Sequence, residues 1–211
     1  MTVSADPTFW NRIAEKYARS PVADPAAFEE KIRVMAARIR PTDTVLDVGC
    51  GTGSLALRLA PFAREVHGVD VSDEMIRIAQ GKAVEQGVAN VQFHVSAFDD
   101  SFDAFPNGSL DAICACSILH LVEDRAAVLA RVLRLLKPGG FFVTSTPCMG
   151  ESWVPYRPIL TGMYWLGQAP RAWVLKKEEL MADISRAGFV ALQAPDVGAR
   201  KEVAFIVAEK R

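Results

Sequence analysis

Val45-Leu46-Asp47-Val48-Gly49-Cys50-Gly51-Thr52-Gly53-Ser54-Leu55-Ala56 reads as a buried strand that runs into three glycines at alternate positions and then directly into a helix. Glycine permits the positive φ of a tight turn and leaves room for a ligand against the backbone. The helix start offers unpaired N–H groups to a negative group, either a pyrophosphate or a carboxylate. Outward from this loop, short apolar runs alternate with amphipathic stretches. Strands are expected over 44–49, 65–70, 91–95, 110–116, 140–146, 189–194 and 202–208, with helices over 53–60, 73–86, 123–136 and 176–187. In the third of these helices Val128, Leu129, Val132, Leu135 and Leu136 recur at helical spacing. Near-continuous apolar strands separated by helices predict an α/β fold whose parallel sheet is covered on both faces.

Two segments break this rhythm. Residues 1–40 read as helices over 9–18 and 26–38, parted by Ser20-Pro21 and Asp24-Pro25. Residues 147–175 are rich in proline, hold three of the four tryptophans and show no clean period. Both are expected to pack over one end of the sheet: a helical cap (1–40) and a lid (147–175) flanking a core (41–146), with a closing helix and strands (176–211). A length of 211 residues suits a single domain of this kind.

Composition narrows the function. Half the residues are hydrophobic and 23% are charged, enough for a sizeable core and against global disorder. A net charge of −1 leaves no electrostatic footprint for nucleic acid. Met1–Pro7 has neither a basic start nor an apolar run, which reads as no signal peptide. No stretch approaches the ~18 uncharged apolar residues needed to span a bilayer. Cys50, Cys114, Cys116 and Cys148 form no CxxC pair, which suits reduced thiols in a cytoplasmic protein.

Two carboxylates give the glycine loop its meaning. Gly51-Thr52-Gly53-Ser54-Leu55-Ala56 also fits the GxGxxA dinucleotide fingerprint, so the loop by itself leaves the ligand open. Asp70 ends the second strand, near the spacing of ~20 residues at which an acid meets ribose hydroxyls. Ser72 and Asp73 already serve to cap the next helix, which frees Asp70 for that task. Asp47 lies within an apolar strand, where a carboxylate costs several kcal/mol unless paired. A cationic ligand, ammonium or sulfonium, supplies the pairing, whereas a pyrophosphate would be repelled. That asymmetry favours S-adenosylmethionine over a nicotinamide dinucleotide.

Val45–Gly53, the run from Gly68 to Met75 and Leu136-Lys137-Pro138-Gly139-Gly140 together resemble the class I S-adenosylmethionine-dependent methyltransferases. Within them the nearest likeness is the small-molecule branch that includes the ubiquinone/menaquinone methyltransferases. Phe9-Trp10 with Ile13–Tyr17 is similar to the helical lead-in of that branch, and Val203–Lys210 to its last strand. The resemblance implies a Rossmann-like, seven-stranded, mostly parallel sheet with an antiparallel last strand. It also implies S-adenosylmethionine as methyl donor, S-adenosylhomocysteine as product and a small-molecule acceptor. By it, Gly49, Gly51 and Gly53, with Asp47 and Cys50, hold the methionine part and Asp70 the ribose. Val71 and Met75 flank the adenine. Ser96-Ala97-Phe98 stands where the family often places an acid for the adenine amino group, and the uncharged Ser96 departs from that pattern. Ser117 and Ile118 line the cofactor near its reactive methyl, and His120 is the general-base candidate.

The acceptor is less legible. Tyr17, Trp153, Tyr156, Tyr164 and Trp165 are expected to wall its pocket, and 158–170 carries no charged residue. This points to an apolar or aromatic small molecule, with a membrane face or a homodimer left open. No metal site is evident. Cys114, Cys116 and Cys148 raise a thiol-dependent chemistry, but no cationic neighbour supplies the low-pKa thiolates it needs. A non-catalytic cofactor-binding protein and, on the fingerprint alone, a nucleotide-cofactor oxidoreductase are the competing readings.

Overall fold

A computed structural model describes residues 6–211. Two helices, α1 (Thr8–Arg19) and α2 (Pro25–Ala36), lead into β1 (Thr44–Val48), α3 (Ser54–Leu59), β2 (Glu65–Asp70), α4 (Asp73–Glu85) and β3 (Val91–Val95). The second half follows with β4 (Leu110–Cys116), α5 (Arg125–Leu135), β5 (Leu136–Pro147), α6 (Tyr156–Trp165), α7 (Lys177–Arg186), β6 (Val190–Gln193) and β7 (Val203–Glu209). Helix starts follow their caps. Asp24 accepts from the Ala27 N–H (3.1 Å) with Pro25 in the first turn, Ser72 from Met75 (3.1 Å) and Asp124 from Ala127 (2.9 Å).

All seven strands form one sheet, in the order β3-β2-β1-β4-β5-β7-β6. The first five run parallel, and β7 runs antiparallel to both β5 and β6. Each face is covered. Val45, Ala112 and Val143 pack with Ile32 and Met35 of α2 and Leu55 and Leu59 of α3. Leu46, Ile113 and Phe142, one residue along each strand, pack with Leu129 and Val132 of α5 and Leu180 and Ile184 of α7. Burial on both faces explains why the strands read as continuous apolar runs. Chain order reverses between β1 and β4, and such a switch point opens a crevice at the carboxyl ends of those strands.

Three elements differ from the expected boundaries. The helix after the glycine loop is only six residues long, because Pro61 ends it in a 3-10 turn. Strand β5 starts at Leu136 rather than Gly140: Leu136 already pairs with Leu110, and Lys137 donates to both Asp111 carboxylate oxygens at 2.8 Å. Helix α6 was not foreseen within 147–175. Pro155 and Pro158 stand at its start and read as breakers, and its apolar face, Tyr156, Leu160 and Met163, is only three residues long and partly buried. Among the described residues no helix is long and apolar enough to cross a membrane.

Candidate active site

Gly49, Gly51 and Gly53 all adopt left-handed backbone, with φ of 68°, 52° and 74°. The loop folds back on the tip of β2: the Gly49 and Cys50 N–H groups donate to the Val69 carbonyl at 2.8 and 3.1 Å. Space is exhausted on its flanks. A Cβ on Gly49 would lie 2.6 Å from Ile118 Cδ1, and one on Gly53 would lie 2.7 Å from the Phe93 ring. Gly51 alone of the three has room, facing Tyr17 at 3.8 Å.

The two carboxylates are held from behind. Asp47 is buried in β1 and bonded by the Ala56 N–H of α3, while its Oδ2 is buried with no hydrogen-bond partner among the described residues. Burial, then the charge of Asp70, pushes its carboxyl up to about 8. This takes up one of the free N–H groups expected to serve a ligand, and so short a helix adds little dipole. Asp70 accepts from the Gly51 N–H and the Ser72 N–H, each at 2.9 Å, so it braces the loop as well as facing the crevice. Burial raises its pKa against those bonds. Ser72 caps α4, as the sequence suggests, and its hydroxyl donates to Asn11 Oδ1 at 2.5 Å. Asn11 donates to Asp73 (2.6 Å) and Arg77 pairs with Glu15 (2.7 Å), which staples α1 over the crevice.

A cavity of about 590 Å³ opens there. It brings together Gly49, Gly51, Asp70, Val71, Met75, Ser96, Phe98, Ser117, Ile118, His120, Tyr17 and Tyr164 from the sequence-predicted set. Asp47, Cys50, Gly53 and Ala97 are not on its wall; the first three support the loop from beneath. Trp153, Tyr156 and Trp165 do not reach it either. Trp153 is 93% exposed and Trp165 80%, because one step along α6 turns Trp165 about 100° away from Tyr164. The sequence reading missed Phe9, Trp10, Arg12, Leu121, Pro147 and Arg171 on the wall. The lead-in motif Phe9-Trp10 carried that signal; nothing marked Arg12 or Arg171.

Ser117 adopts φ 58°, unusual for a non-glycine residue, and its N–H donates to the Ser145 carbonyl at 2.7 Å. The turn it makes carries Ile118 and His120 from the end of β4 to the cavity. His120 Nδ1 is buried with no partner among the described residues, and burial pushes the imidazole down to about 4. Ser96 donates its hydroxyl to the Ala97 carbonyl at 3.0 Å. Asp100, close behind it in the chain, pairs with Arg131 at 2.5 Å. The thiols do not supply reactive groups: burial pushes Cys116 up to about 12 and Cys148 up to about 11, and raises Cys50 and Cys114 as well. His67 and His94 pair with each other at 3.2 Å, away from the cavity.

Residues 39–187 match the family model of the methyltransferase domain. This chain belongs to that family. The match removes the oxidoreductase alternative raised by the fingerprint. The chain is 34% identical over 117 residues to a ubiquinone biosynthesis O-methyltransferase of Xanthomonas axonopodis pv. citri, covering 55% of this chain and 48% of that protein. It is 32% identical over 129 residues to the uncharacterized methyltransferase YcgJ of Bacillus subtilis, covering 61% and 48%. The chain thus spans about half the length of these curated relatives. In fold it is similar to the YcgJ crystal structure (TM-score 0.69, 22% identity, 87% of this chain and 99% of that one). It is similar also to Haemonchus contortus phosphoethanolamine N-methyltransferase 2 in complex with S-adenosyl-L-methionine (TM-score 0.71, 16% identity, 86% and 52%).

Proposed function

We propose that this methyltransferase takes S-adenosylmethionine between the glycine loop and Asp70. It methylates a small apolar or aromatic acceptor lodged beneath α1 and the 147–175 segment. The observation behind this reading is a single cavity lined both by the carboxylate-flanked glycine loop, with Tyr17 against it, and by Phe9, Trp10 and Tyr164. The same proposal treats residues 1–211 as one unit, with 1–40 as its cap and 147–175 as its lid.

The residues present fit the cofactor. Gly49, Gly51 and Asp70 line the cavity, and behind the loop the buried, unpartnered Asp47 Oδ2 favours positive charge on the ligand. The volume falls within the range of about 300–1,000 Å³ usual for small-molecule pockets. Gly49 and Gly51 would hold the methionine part, Asp70 the ribose, and Val71, Met75, Ser96 and Phe98 the adenine. Bound there, the cofactor supplies an electrophilic sulfonium methyl. The chain's own tasks are then alignment, exclusion of water and, for an acceptor that loses a proton, a base. Alignment can supply on the order of 7–11 kcal/mol at best, which explains a site with few catalytic side chains.

S-adenosylhomocysteine should raise the melting temperature while NAD and NADP leave it unchanged; stabilisation by NAD alone overturns the reading. An acceptor panel read by released S-adenosylhomocysteine tests catalysis, and release from none of its members leaves only the non-catalytic binding protein.

Asp47 makes binding pH-dependent. A carboxyl whose folded pKa of about 8 exceeds its ordinary 3.8 stays protonated in the ligand-free fold between those values, so native stability falls as pH rises through that window. A cation beside it favours the ionised form. Binding at pH 7 should therefore release a proton, and affinity for S-adenosylhomocysteine, through its ammonium, should rise by up to about tenfold per pH unit below 8. Calorimetry in buffers of different ionisation enthalpy reads the proton. Asp47→Asn should abolish the slope, and pH-independent binding by the parent protein would refute this role.

Burial holds His120 neutral across pH 5–8 and also makes it a weak base, so it would serve an acceptor that gives up its proton readily. His120→Ala should lower kcat roughly 10²-fold for a proton-losing acceptor and leave affinity for S-adenosylhomocysteine unchanged. The acid limb of the parent's pH–rate profile should lie near 4 rather than 6.5. Undiminished turnover in the variant removes His120 as the base.

A further inference from the structure

Two guanidinium groups line the cavity, and neither is committed to a carboxylate in the way several other arginines of this chain are. Arg33, Arg58, Arg77, Arg125 and Arg131 each pair with an acid at 2.9 Å or closer. Arg12 has no carboxylate partner among the described residues; its one hydrogen bond goes to the Gly167 carbonyl, on the segment that leads to Arg171. Arg171 has only Glu123, at 4.0 Å, with both side chains about half exposed. So long and exposed a pair contributes little. Apart from Asp70 at the glycine loop, Asp6 is the one acid lining the cavity among the described residues, and hydrogen bonds from the Thr8 hydroxyl and from its N–H at 2.9 Å occupy it and lower its pKa.

Each of the two groups is also pre-oriented. Arg12 lies over the Phe9 ring at 5.4 Å and Arg171 over the Trp173 ring at 4.9 Å. A ring beneath a guanidinium holds the cation in place while its N–H groups stay available to other partners; in Arg12 one of them, on Nη2, already serves the Gly167 carbonyl, and the others can meet a carboxylate. The rest of this chamber, made by Phe9, Trp10, Leu121, Pro147, Tyr164 and Pro170, offers apolar and aromatic surface. An ammonium acceptor entering here would meet two positive charges; a carboxylate would find two donors already in place.

We infer that the acceptor carries a carboxylate on an aromatic or apolar body, and that Arg12 and Arg171 read that carboxylate and turn the methyl-accepting atom toward the glycine loop. This rests on the proposed methyltransferase reading and narrows its substrate class. Arg12 does a second job in the same act, since its bond to Gly167 ties α1 to the lid across the mouth of the chamber.

The test uses the full chain saturated with S-adenosylhomocysteine, so that cofactor binding is established first and its failure is seen separately. Matched aromatic probes are then titrated calorimetrically, each as carboxylate, neutral alcohol and amine: benzoate with benzyl alcohol and benzylamine, 3,4-dihydroxybenzoate with 3,4-dihydroxybenzyl alcohol and 3,4-dihydroxybenzylamine, and naphthoate with naphthalenemethanol and naphthalenemethylamine. At least one carboxylate should bind about tenfold or more tighter than its neutral partner, the gain expected of charge-assisted hydrogen bonds, with the amine weakest. Arg171→Gln should erase that preference while leaving affinity for S-adenosylhomocysteine intact, and Arg171→Lys should restore only part of it. Arg12→Gln should weaken the carboxylate too. The inference is overturned if no carboxylate binds more tightly than its neutral partner, including the case where none binds, or if the preference survives both glutamine substitutions.

Discussion

Gly53→Ala should destabilise the protein by about 2–5 kcal/mol and, with that, remove binding of S-adenosylhomocysteine. The left-handed backbone of an alanine costs about 1–2 kcal/mol, and overpacking a filled core typically adds about 1–3 kcal/mol. Both apply at this position. With φ at 74°, the new methyl would lie 2.7 Å from Phe93 Cζ and 2.9 Å from Ala79 Cβ, wedged between β3 and α4. Phe93 has nowhere to retreat, because its ring also fills the space left by Gly68, where a Cβ would meet it at 2.7 Å. The loop is then the element that gives way, drawing the Gly51 N–H off Asp70. Urea denaturation separates the two contributions. Phe93→Leu in the Gly53→Ala background should recover the steric share and leave the backbone share behind, a coupling that a double-mutant cycle measures directly. A Gly53→Ala protein within about 0.5 kcal/mol of its parent, the range of an inert surface change, would show that the loop is not tightly held.

The same packing explains which parts of the molecule could be read from the chain alone. Strands β1, β2 and β4 are buried on both faces at the centre of the sheet, and a fully buried strand can only be an apolar run. The glycines announced the loop because no other residue tolerates both the positive φ and the close neighbours at Gly49 and Gly53. Asp47 and Asp70 stood out as charges in apolar contexts, and the structure finds one with an orphaned oxygen and the other braced by two N–H groups. The acceptor end left no such trace. Helix α6 has no fully buried residue and opens on Pro155 and Pro158, so its short apolar face did not stand out, and Trp153 and Trp165 were taken for wall residues on their chemistry alone. Tyr17 was assigned to the acceptor, yet its ring faces Gly51, where burial and the two carboxylates raise its pKa. Arg12 and Arg171 come from segments 159 positions apart in the chain and reach the same cavity only through the staple between α1 and α4 and the bond to Gly167. Such a juxtaposition belongs to tertiary structure.

Asp70→Ala should weaken S-adenosylhomocysteine binding by at least tenfold, and the structure adds a complication that the sequence did not contain. The carboxylate accepts from Gly51 and Ser72 at 2.9 Å each, so its loss strands two backbone donors as well as any ribose contact. Hydrogen bonds to a charged group are worth about 1.5–3 kcal/mol each, so either role predicts a large effect and affinity alone cannot tell them apart. Two ligands can. If Asp70 holds the ribose, the parent protein should bind the 2′,3′-dideoxy analogue of S-adenosylhomocysteine far more weakly than the natural product. The variant should then bind both with nearly equal, low affinity. If Asp70 only braces the loop, the variant should lose affinity for both compounds by the same factor, and the dideoxy penalty should survive intact. Asp70→Asn refines the result, since a single amide oxygen can serve one backbone N–H but cannot also take two hydroxyls. Unchanged affinity in Asp70→Ala, or a dideoxy penalty that persists in it, would remove Asp70 from the ribose site and with it the argument that this crevice was shaped for an adenosine.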